Sequence, residues 1–452
     1  MIEKECDVAV IGAGPAGLAA ATEADKAGCK VMMIDRDDGL GGILQQCIHP
    51  GFGLIEFKEE MAGPEYAQRY IDMLPNTNIE VVKGTMVLDM TSDKEIYAIN
   101  EQGIVKIVAK SIVLAMGCRE RTRGAIKIPG YRPTGVYTAG TAQRFVNIEG
   151  FMPGTKFVIL GSGDIGMIMA RRLTWEGAKV QAVVEILPFP SGLVRNKVQC
   201  LDDYGIPLYL SHTVVRVHGR DRVTGITIAK VDDAWKPIPG SEIFFDCDTL
   251  LLSVGLIPEN EVSKKAGVKL GKTNGPEVNQ FLQTNIDGIF AAGNVLQVHD
   301  LVDNVSAEAR KAGRMAAMSA AGTKIPNLND GDSVPLVAGN GIGYVLPTKI
   351  NMAIPDEFVG ESGLVKLSLR VKKPVNDQYL KVKNGETEIY KKAFKYMRPS
   401  EMILFELKPE VLSGIDASQS LEVFLEPKEV ETTEETTEEV TEESAESTEG
   451  GE

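Results

Sequence analysis

The chain has little of what a metal centre, a disulfide scaffold, a nucleic-acid binder or a membrane protein requires. Its six cysteines (Cys6, Cys29, Cys47, Cys118, Cys200 and Cys247) are scattered and form no C-x-x-C pair. That spacing excludes a self-contained iron–sulfur or zinc site and suits reduced thiols. Histidine is down to four, and none follows His299. No run approaches the ~18 apolar residues of a membrane span. The first residues, Met1 to Glu5, enter a strand pattern without the basic and apolar regions of a secretory signal, so a cytoplasmic location is expected. There is no basic excess. The formal net charge is −15, and residues 429–452 alone hold eleven glutamates and no Lys or Arg. Taking those eleven from −15 leaves about −4 for residues 1–428. Such a balanced body gives nucleic acid no electrostatic reason to bind.

What is present is glycine, 46 residues of it in a chain of 452, much of it in short spaced clusters that point to special turns. An apolar strand (Cys6–Ile11) leads into a glycine turn, an alanine-rich helix (Pro15 to Ala27) and a second strand (Lys30 to Asp35). The same grammar recurs from Lys156 to Glu185. Between the copies the pattern predicts a helix over Ile55–Leu74, a hairpin-like region over Ile79–Ala109 and a buried strand at Ser111–Ala115. After the second copy come strands at Val214–Val217, Gly225–Val231, Thr249–Val254 and Gly288–Ala292, then a helix from about Asn304. Residues 331–427 alternate apolar and polar positions around turns such as Asn384-Gly385, which predicts a small antiparallel β domain. The Glu/Thr-rich stretch 428–452 has too little apolar content to fold and is expected to be disordered.

The first glycine cluster is Gly12-Ala13-Gly14-Pro15-Ala16-Gly17, and Asp35 falls 23 residues after Gly12 at the end of the second strand. Strand, turn, helix, strand and terminal acid make a dinucleotide site. The glycines allow a tight turn, close approach of a pyrophosphate and close helix–strand packing, and the acid accepts from a ribose hydroxyl. The second cluster is Gly161-Ser162-Gly163-Asp164-Ile165-Gly166, with Glu185 following 24 residues after Gly161. Two copies indicate two dinucleotides. A carboxylate at Glu185 would bond a free 2′-hydroxyl and repel a 2′-phosphate, so NAD(H) is expected over NADP(H), with Arg195 the one nearby cation suited to a phosphate.

This order resembles the two-dinucleotide-binding flavoprotein superfamily, with its pyridine nucleotide–disulfide oxidoreductases and thioredoxin reductase-like enzymes. Three further segments carry the resemblance, which covers residues 5 to about 322. Ile112–Gly117 and Leu251–Pro258 are similar to the two crossovers between domains, and Thr284–Asn294 is similar to the late flavin motif. The resemblance implies an α/β fold of two Rossmann-like dinucleotide-binding domains. An FAD domain (1–150 and 245–325) would be interrupted by an NAD(H) domain (151–244) and followed by the β domain (331–427) and the acidic tail (428–452). It places FAD on Gly12, Gly14, Pro15, Ala16, Gly17, Asp35, Arg36, Gly41, Gly42, Ala115, Gly117, Gly293, Asn294, His299, Asp300 and Leu301. It places NAD(H) on Gly161, Ser162, Gly163, Asp164, Ile165, Gly166, Glu185, Val254 and Gly255. The late motif usually ends Gly-Asp, whereas this chain has Gly293-Asn294. His299 and Asp300 have two readings, as flavin contacts or as the cap of the helix that follows.

Disulfide reductases of that superfamily carry two cysteines, four residues apart, in the segment matching Gly41–Gly53, where this chain has only Cys47. They also use a histidine near the C-terminus. The dithiol reaction is therefore excluded. Cys47 is either a small residue packed beside the cofactor or a lone redox thiol, and the first is favoured because His49 is the only basic neighbour in sequence. Cys118 is followed by Arg119, Arg121 and Arg123, which suit a pyrophosphate or an interface.

Segments Gly41–Gly53, Gly117–Gly124 and Val298–Val302 resemble a narrower family, the NAD-linked FAD oxidoreductases encoded beside glycerol-3-phosphate dehydrogenase-type flavoproteins. More distant relatives are subunits of opine dehydrogenase, hydrogen cyanide synthase and sarcosine oxidase. That resemblance implies a partner flavoprotein, with a small iron–sulfur protein as a relay, no metal of its own and an oligomeric assembly. Two other readings stay open: a stand-alone NADH oxidase or thiol/peroxide reductase using Cys47, with His299 as a candidate acid–base group, and a flavin-bound scaffold or redox sensor.

Overall fold

The computed structural model describes residues 1–352 and 365–428, so the expected tail from Glu429 onward lies outside the described residues. The first expected unit is β1 (Ile2–Ile11), α1 (Pro15–Lys26) and β2 (Val31–Ile34). Proline at the start of α1 lacks the amide that a first turn cannot use, and alanines 16, 19, 20, 21 and 24 are buried. Those small residues form a close-packing seam used later in the chain.

The next segment differs from the sequence pattern. In place of a helix over 55–74, the chain makes a short ribbon, β3 (Pro50–Phe52) with β4 (Met61–Ala62), and then α2 (Gly63–Ile71). Residues 53–57 instead form a turn whose amides are captured from elsewhere, and Lys58 has φ +58°, which ends any helical run. β5 (Glu80–Val82) joins β2 in parallel, and β6 (Met86–Met90), β7 (Glu95–Asn100) and β8 (Gly103–Leu114) form an antiparallel meander. The buried strand expected at 111–115 is the second half of β8, which pairs with β1 along its length.

β9 (Cys118–Glu120) leaves this sheet, and β10 (Val136–Thr138) with α3 (Ala139–Asn147) opens the second unit. There β11 (Lys156–Leu160), α4 (Asp164–Trp175) and β12 (Lys179–Glu185) match the second expected fingerprint. α5 (Val194–Cys200) and β13 (Leu208–Leu210) follow. A three-stranded antiparallel sheet, β14 (His212–His218), β15 (Gly225–Lys230) and β16 (Ile243–Phe245), precedes β17 (Thr249–Leu252). The parallel order is β10-β17-β11-β12-β13. Strand membership therefore moves the boundaries drawn at 150/151 and 244/245, because β10, α3 and β17 all belong with the second sheet. β18 (Leu256–Pro258) returns antiparallel to β9, completing a two-strand connection.

After α6 (Glu261–Lys265), β19 (Ile289–Ala291) pairs with β8 and re-enters the first sheet, whose order is β5-β2-β1-β8-β7-β6. α7 (Val302–Ala320) then lies against α1, and a Cβ at Gly313 would come within 2.3 Å of the Ala20 carbonyl oxygen. This contact explains the alanine seam.

Among the described residues the C-terminal domain is β apart from one four-residue helix at Pro409–Leu412. Its strands are β20 (Ser333–Ala338), β21 (Ile342–Leu346), β22 (Lys349–Asn351), β23 (Val365–Val371), β24 (Val375–Asn384), β25 (Thr387–Met397) and β26 (Ile403–Leu407). α8 (Pro409–Leu412) and β27 (Leu421–Pro427) end it. A five-stranded sheet, β22-β20-β27-β24-β25, packs on a three-stranded one, β21-β23-β26, around Val334, Leu367, Leu369, Val382 and Val423. The expected Asn384-Gly385 turn joins β24 to β25, with Gly385 at φ +58°.

Candidate functional site

Both glycine turns sit at the C-terminal ends of parallel strands, where open α/β sheets take ligands. At the first, Gly12 has φ +105°, and a Cβ there would lie 2.4 Å from the Ala115 carbonyl oxygen. Only glycine lets β1 turn this close to the end of β8. A Cβ at Gly14, in contrast, would meet nothing within 4 Å, so the first amides of α1 face open space of the kind a pyrophosphate fills. Asp35 is spent partly on the turn itself, accepting from the Ala13 amide at 2.5 Å and the Asp37 amide at 2.8 Å. Gly41 donates to the Ala13 carbonyl at 2.9 Å, which brings Gly42 beside Gly14. Arg36 is exposed.

The late motif closes the same cleft. Gly293 follows β19, and its amide donates to Glu308 Oε1 of α7 at 2.7 Å. The same carboxylate lies 3.1 Å from His299 Nε2 and accepts from Gln297 at 2.9 Å. Asn294 accepts from the His299 amide through its carbonyl oxygen and donates to Cys118 Sγ, a pairing an aspartate could not make. The buried Nδ1 of His299 has no hydrogen-bond partner among the described residues, so this ring has an unused polar atom to offer a cofactor. Asp300 turns away: its carboxylate accepts from Arg370 of β23 at 3.1 Å and from the Met402 amide at 3.3 Å. Leu301 is the extended residue that precedes α7.

Two acids that the sequence reading did not single out do most of the fastening. Asp303, in the first turn of α7 and only 4% exposed, accepts from the amides of Gly53, Ile55 and Glu56 at 3.2, 3.1 and 2.7 Å. Glu308 holds Gly293 and His299 as described. The available signal was position: an acid at a helix start is expected to collect orphan amides, here those of another segment. Nearby, Glu56 pairs with Arg310 and accepts from Tyr70, tying the 53–60 segment to α2 and α7.

At the second turn Gly161 has φ +97°, and a Cβ would approach the Ser253 carbonyl oxygen to 2.0 Å. Glu185 is 4% exposed and well supplied with donors. Its Oε2 accepts from the Ser162 amide and hydroxyl at 2.9 and 2.6 Å and from Ser191 at 2.9 Å, and its Oε1 from the Leu187 amide at 3.0 Å. Asp164 secures the loop over the turn by accepting from the Leu193 amide and Asn196. Arg195 is exposed at the rim. Val254 and Gly255 continue from β17 into the return connection, where Gly255 accepts from the Arg121 amide. Arg119 clasps that connection, pairing with Glu259 and Glu261 at 2.6 Å each, and Arg123 bonds the Ile128 and Pro129 carbonyls. Arg119 and Arg123, expected to serve a pyrophosphate or an interface, are thus engaged within the chain.

Cys47 sits where the two units meet. Its thiol donates to the Ile43 carbonyl at 3.3 Å and lies 3.9 Å from Gln143 Oε1 of α3, while Gln46 also bonds Gln143. Burial pushes the thiol up to about 12. At pH 8 such a thiol is ~10⁻⁴ thiolate, so alkylation of native Cys47 by iodoacetamide is expected to run about a thousandfold slower than for a free cysteine. Mass-spectrometric labelling rates check this, and equal rates would restore a reactive role. All six cysteines are free.

The pyridine nucleotide-disulphide oxidoreductase family model matches residues 6–316. The chain belongs to that family. Its curated relatives include an opine oxidase subunit of Agrobacterium tumefaciens, 26% identical over 70% of this chain and 65% of that protein. The HcnB component of the hydrogen cyanide synthase of Pseudomonas protegens is 25% identical over 58% of each chain. Thioredoxin reductase of Bacillus subtilis is 26% identical over 65% of this chain and 87% of that protein. The chain therefore spans less than two thirds of the length of the first two. The solved thioredoxin reductase of T. acidophilum shares the fold, with a TM-score of 0.57 at 24% identity over 70% of this chain and 98% of that one. Members of that family are FAD- and NAD(P)H-binding oxidoreductases. Residues beyond 316, which include the whole C-terminal β domain, fall outside the family match.

Proposed function

We propose that this chain is the nicotinamide-facing electron-transfer component of a multi-subunit dehydrogenase, exchanging electrons between NAD(H) and a partner flavoprotein through its own FAD. One observation carries the reading. Two dinucleotide-type glycine turns stand at the ends of parallel strands, all six cysteines are free, and no group of side chains among the described residues is arranged to hold a metal ion. Two of the relatives are named as subunits, of opine oxidase and of hydrogen cyanide synthase, which supports a shared rather than a solitary task. Glycerol 3-phosphate is our favoured substrate for the complex, on the resemblance carried by Gly41–Gly53, Gly117–Gly124 and Val298–Val302, with an iron–sulfur protein as the relay.

FAD held at the first turn would supply hydride acceptance from NADH and onward transfer of the two electrons. The chain's own residues prepare that exchange. Amides of α1 and the Gly12–Gly14 turn face the space for the FAD pyrophosphate, Asp35 steadies the turn, and Glu308 fixes both the Gly293 amide and the His299 ring. The corresponding amides of α4 would hold the nicotinamide dinucleotide, with Glu185 beneath its ribose. The thiol at Cys47, held protonated by burial and bonded to the Ile43 carbonyl, gives a stand-alone thiol or peroxide reductase no support, and Cys47→Ser is expected to leave NADH-to-dye activity unchanged.

Anaerobic mixing with NADH should bleach the flavin, and an unbleached flavin would sink the proposal. NADPH should bind about 10- to 100-fold more weakly than NADH, because the Glu185 carboxylate meets its 2′-phosphate across a partly screened gap. Titrations with both nucleotides decide it, equal affinities being the contrary result. Reconstitution with candidate partner flavoproteins and glycerol 3-phosphate then tests the substrate.

A further inference from the structure

We propose that the cleft between α4 and the 48–50 loop is a binding site for a small organic oxyanion, a carboxylate or a phosphate monoester with a short apolar body. The cleft lies on the seam of the two dinucleotide-binding units. One wall is Ile48, His49 and Pro50, which follow Cys47, and the other is α4 from Ile168 to Trp175 with Gln143 and Asn147 of α3. About 460 Å³ of space lies between them, open to solvent on one side, within the size range of small-molecule sites. The charge on those walls is of one sign, since Arg171, Arg172 and His49 line the cleft and no Asp or Glu does. Arg172 is already satisfied, by Glu176 at 2.6 Å and by Asn147 Oδ1 at 3.0 Å. Arg171 is not. It makes no ion pair or hydrogen bond with a described residue, and its Nε is buried without an acceptor. Its guanidinium is nonetheless held in place, with Cζ 4.8 Å from the centroid of the Trp175 ring, and that ring is fixed by its indole N–H donating to the Tyr204 hydroxyl at 2.6 Å. Seated over an aromatic face, a guanidinium keeps its N–H edge for two oxygens of one anion.

Gln143 adds a second donor. Only 1% exposed, it accepts through its carbonyl oxygen from Gln46 and Cys47, while its amide nitrogen has no partner among the described residues. A buried donor left in that state is costly unless a ligand or a water meets it. His49 reports the sign of the local field: burial lowers its basicity, and Arg171 and Arg195 lower it further against the opposing Pro50 carbonyl and Asp164. The body of the ligand has its own surface, because Ile48, Pro50, Ile168 and Met169 line the same space. The cleft is separate from the nicotinamide turn. Arg171 stands seven residues after Asp164 on α4, ~10 Å along the helix from the amides that face a pyrophosphate, so both places can be filled together. An occupant with its head on Arg171 and its body against the 48–50 loop touches both units, and its binding is thereby linked to how they meet. The assignment is independent of which substrate the assembled enzyme oxidises.

Titration of the flavin-loaded full chain tests this, with Trp235→Phe leaving Trp175 as its only indole. At constant ionic strength set with NaCl, butyrate and n-propyl phosphate are the probes. Either should give a saturable change in tryptophan emission, complete below about 10 mM, and the tighter of the two identifies the head group. Inorganic phosphate, a head without a body, should bind at least about threefold more weakly than propyl phosphate, the worth of one or two buried methylenes. Arg171→Gln should weaken binding at least about tenfold, the worth of one charge-assisted hydrogen bond, and Arg171→Lys should recover only part of it. Flavin content and NADH-to-dye activity of both variants should match the wild type. As a readout that needs no variant, the melting temperature of the wild-type chain should rise with the tighter probe and not with equal NaCl. No saturable signal, unchanged affinity in Arg171→Gln, equal affinity for inorganic and propyl phosphate, or displacement of the probe by NADH would each overturn the proposal.

Discussion

A chain carrying Gly161→Ala is expected to keep its flavin and lose saturable reduction by NADH. At φ +97° a non-glycine residue is strained wherever it sits, and the added Cβ would lie 2.0 Å from the Ser253 carbonyl oxygen. That oxygen belongs to the backbone just after β17, whose Ser253 amide is bonded to Leu160, so it cannot give way without parting β11 from β17. Relief must come from the turn, which swings the first amides of α4 out of line. The expected rise in the Kd for NADH is at least about 100-fold, roughly the worth of two charge-assisted hydrogen bonds. The FAD turn, in the other sheet, is untouched, so flavin content and the visible spectrum should match the wild type. Loss of flavin together with NADH binding would show that the two units are not separable in this way.

The second large effect is expected from Asp303→Ala. One carboxylate, 4% exposed, satisfies three amides of the 53–56 turn. Removing it leaves those donors without an acceptor, at a cost of about 3–5 kcal/mol once non-additivity is allowed for. The melting temperature should fall by about 10 °C, as expected for a domain of this size. Asp303→Asn, which retains one acceptor oxygen, should recover roughly half of that. Calorimetry measures both, and limited proteolysis should place the new cleavage between Gly53 and Glu60. A variant as stable as the wild type would mean that water replaces the carboxylate without cost.

The contrast between these two positions explains what the sequence displayed and what it hid. Gly161 and Gly12 were legible because a tight turn followed by a helix imposes its glycines locally, within six residues. Asp35 and Glu185 were legible by their offset from those turns. Asp303 and Glu308 were not, since the first acts on residues far away in the chain and the second on a loop that only the fold brings back: Gly53 lies 250 positions from Asp303. The same distance misled the reading of 55–74, where an apolar pattern at helical spacing was overridden by amides bonded to Asp303 and by Lys58 at positive φ. β10 and β17 were assigned across the wrong boundary for a related reason. Three- and four-residue strands carry too little pattern to show which sheet they join, and only the pairing of β10 with β17 and of β17 with β11 decides it. Asp300 was read from the family resemblance as a flavin contact or from its position as part of a helix cap, and its carboxylate pairs with an arginine 70 residues later.

That last pairing bears on the order in which the molecule is completed during synthesis. The turn carrying Gln297, Val298, His299 and Asp300 is braced by Ser368, Arg370 and the Met402 amide. None of these exists when residue 300 leaves the ribosome. About 100 more residues must follow, some 5–20 s at ordinary elongation rates. Until then the imidazole end of the cleft lacks its brace, and a nascent chain cut off near residue 330 would hold both glycine turns and still present an unfinished pocket. The C-terminal sandwich is the last piece of the site to arrive, although none of its strands belongs to either nucleotide-binding sheet.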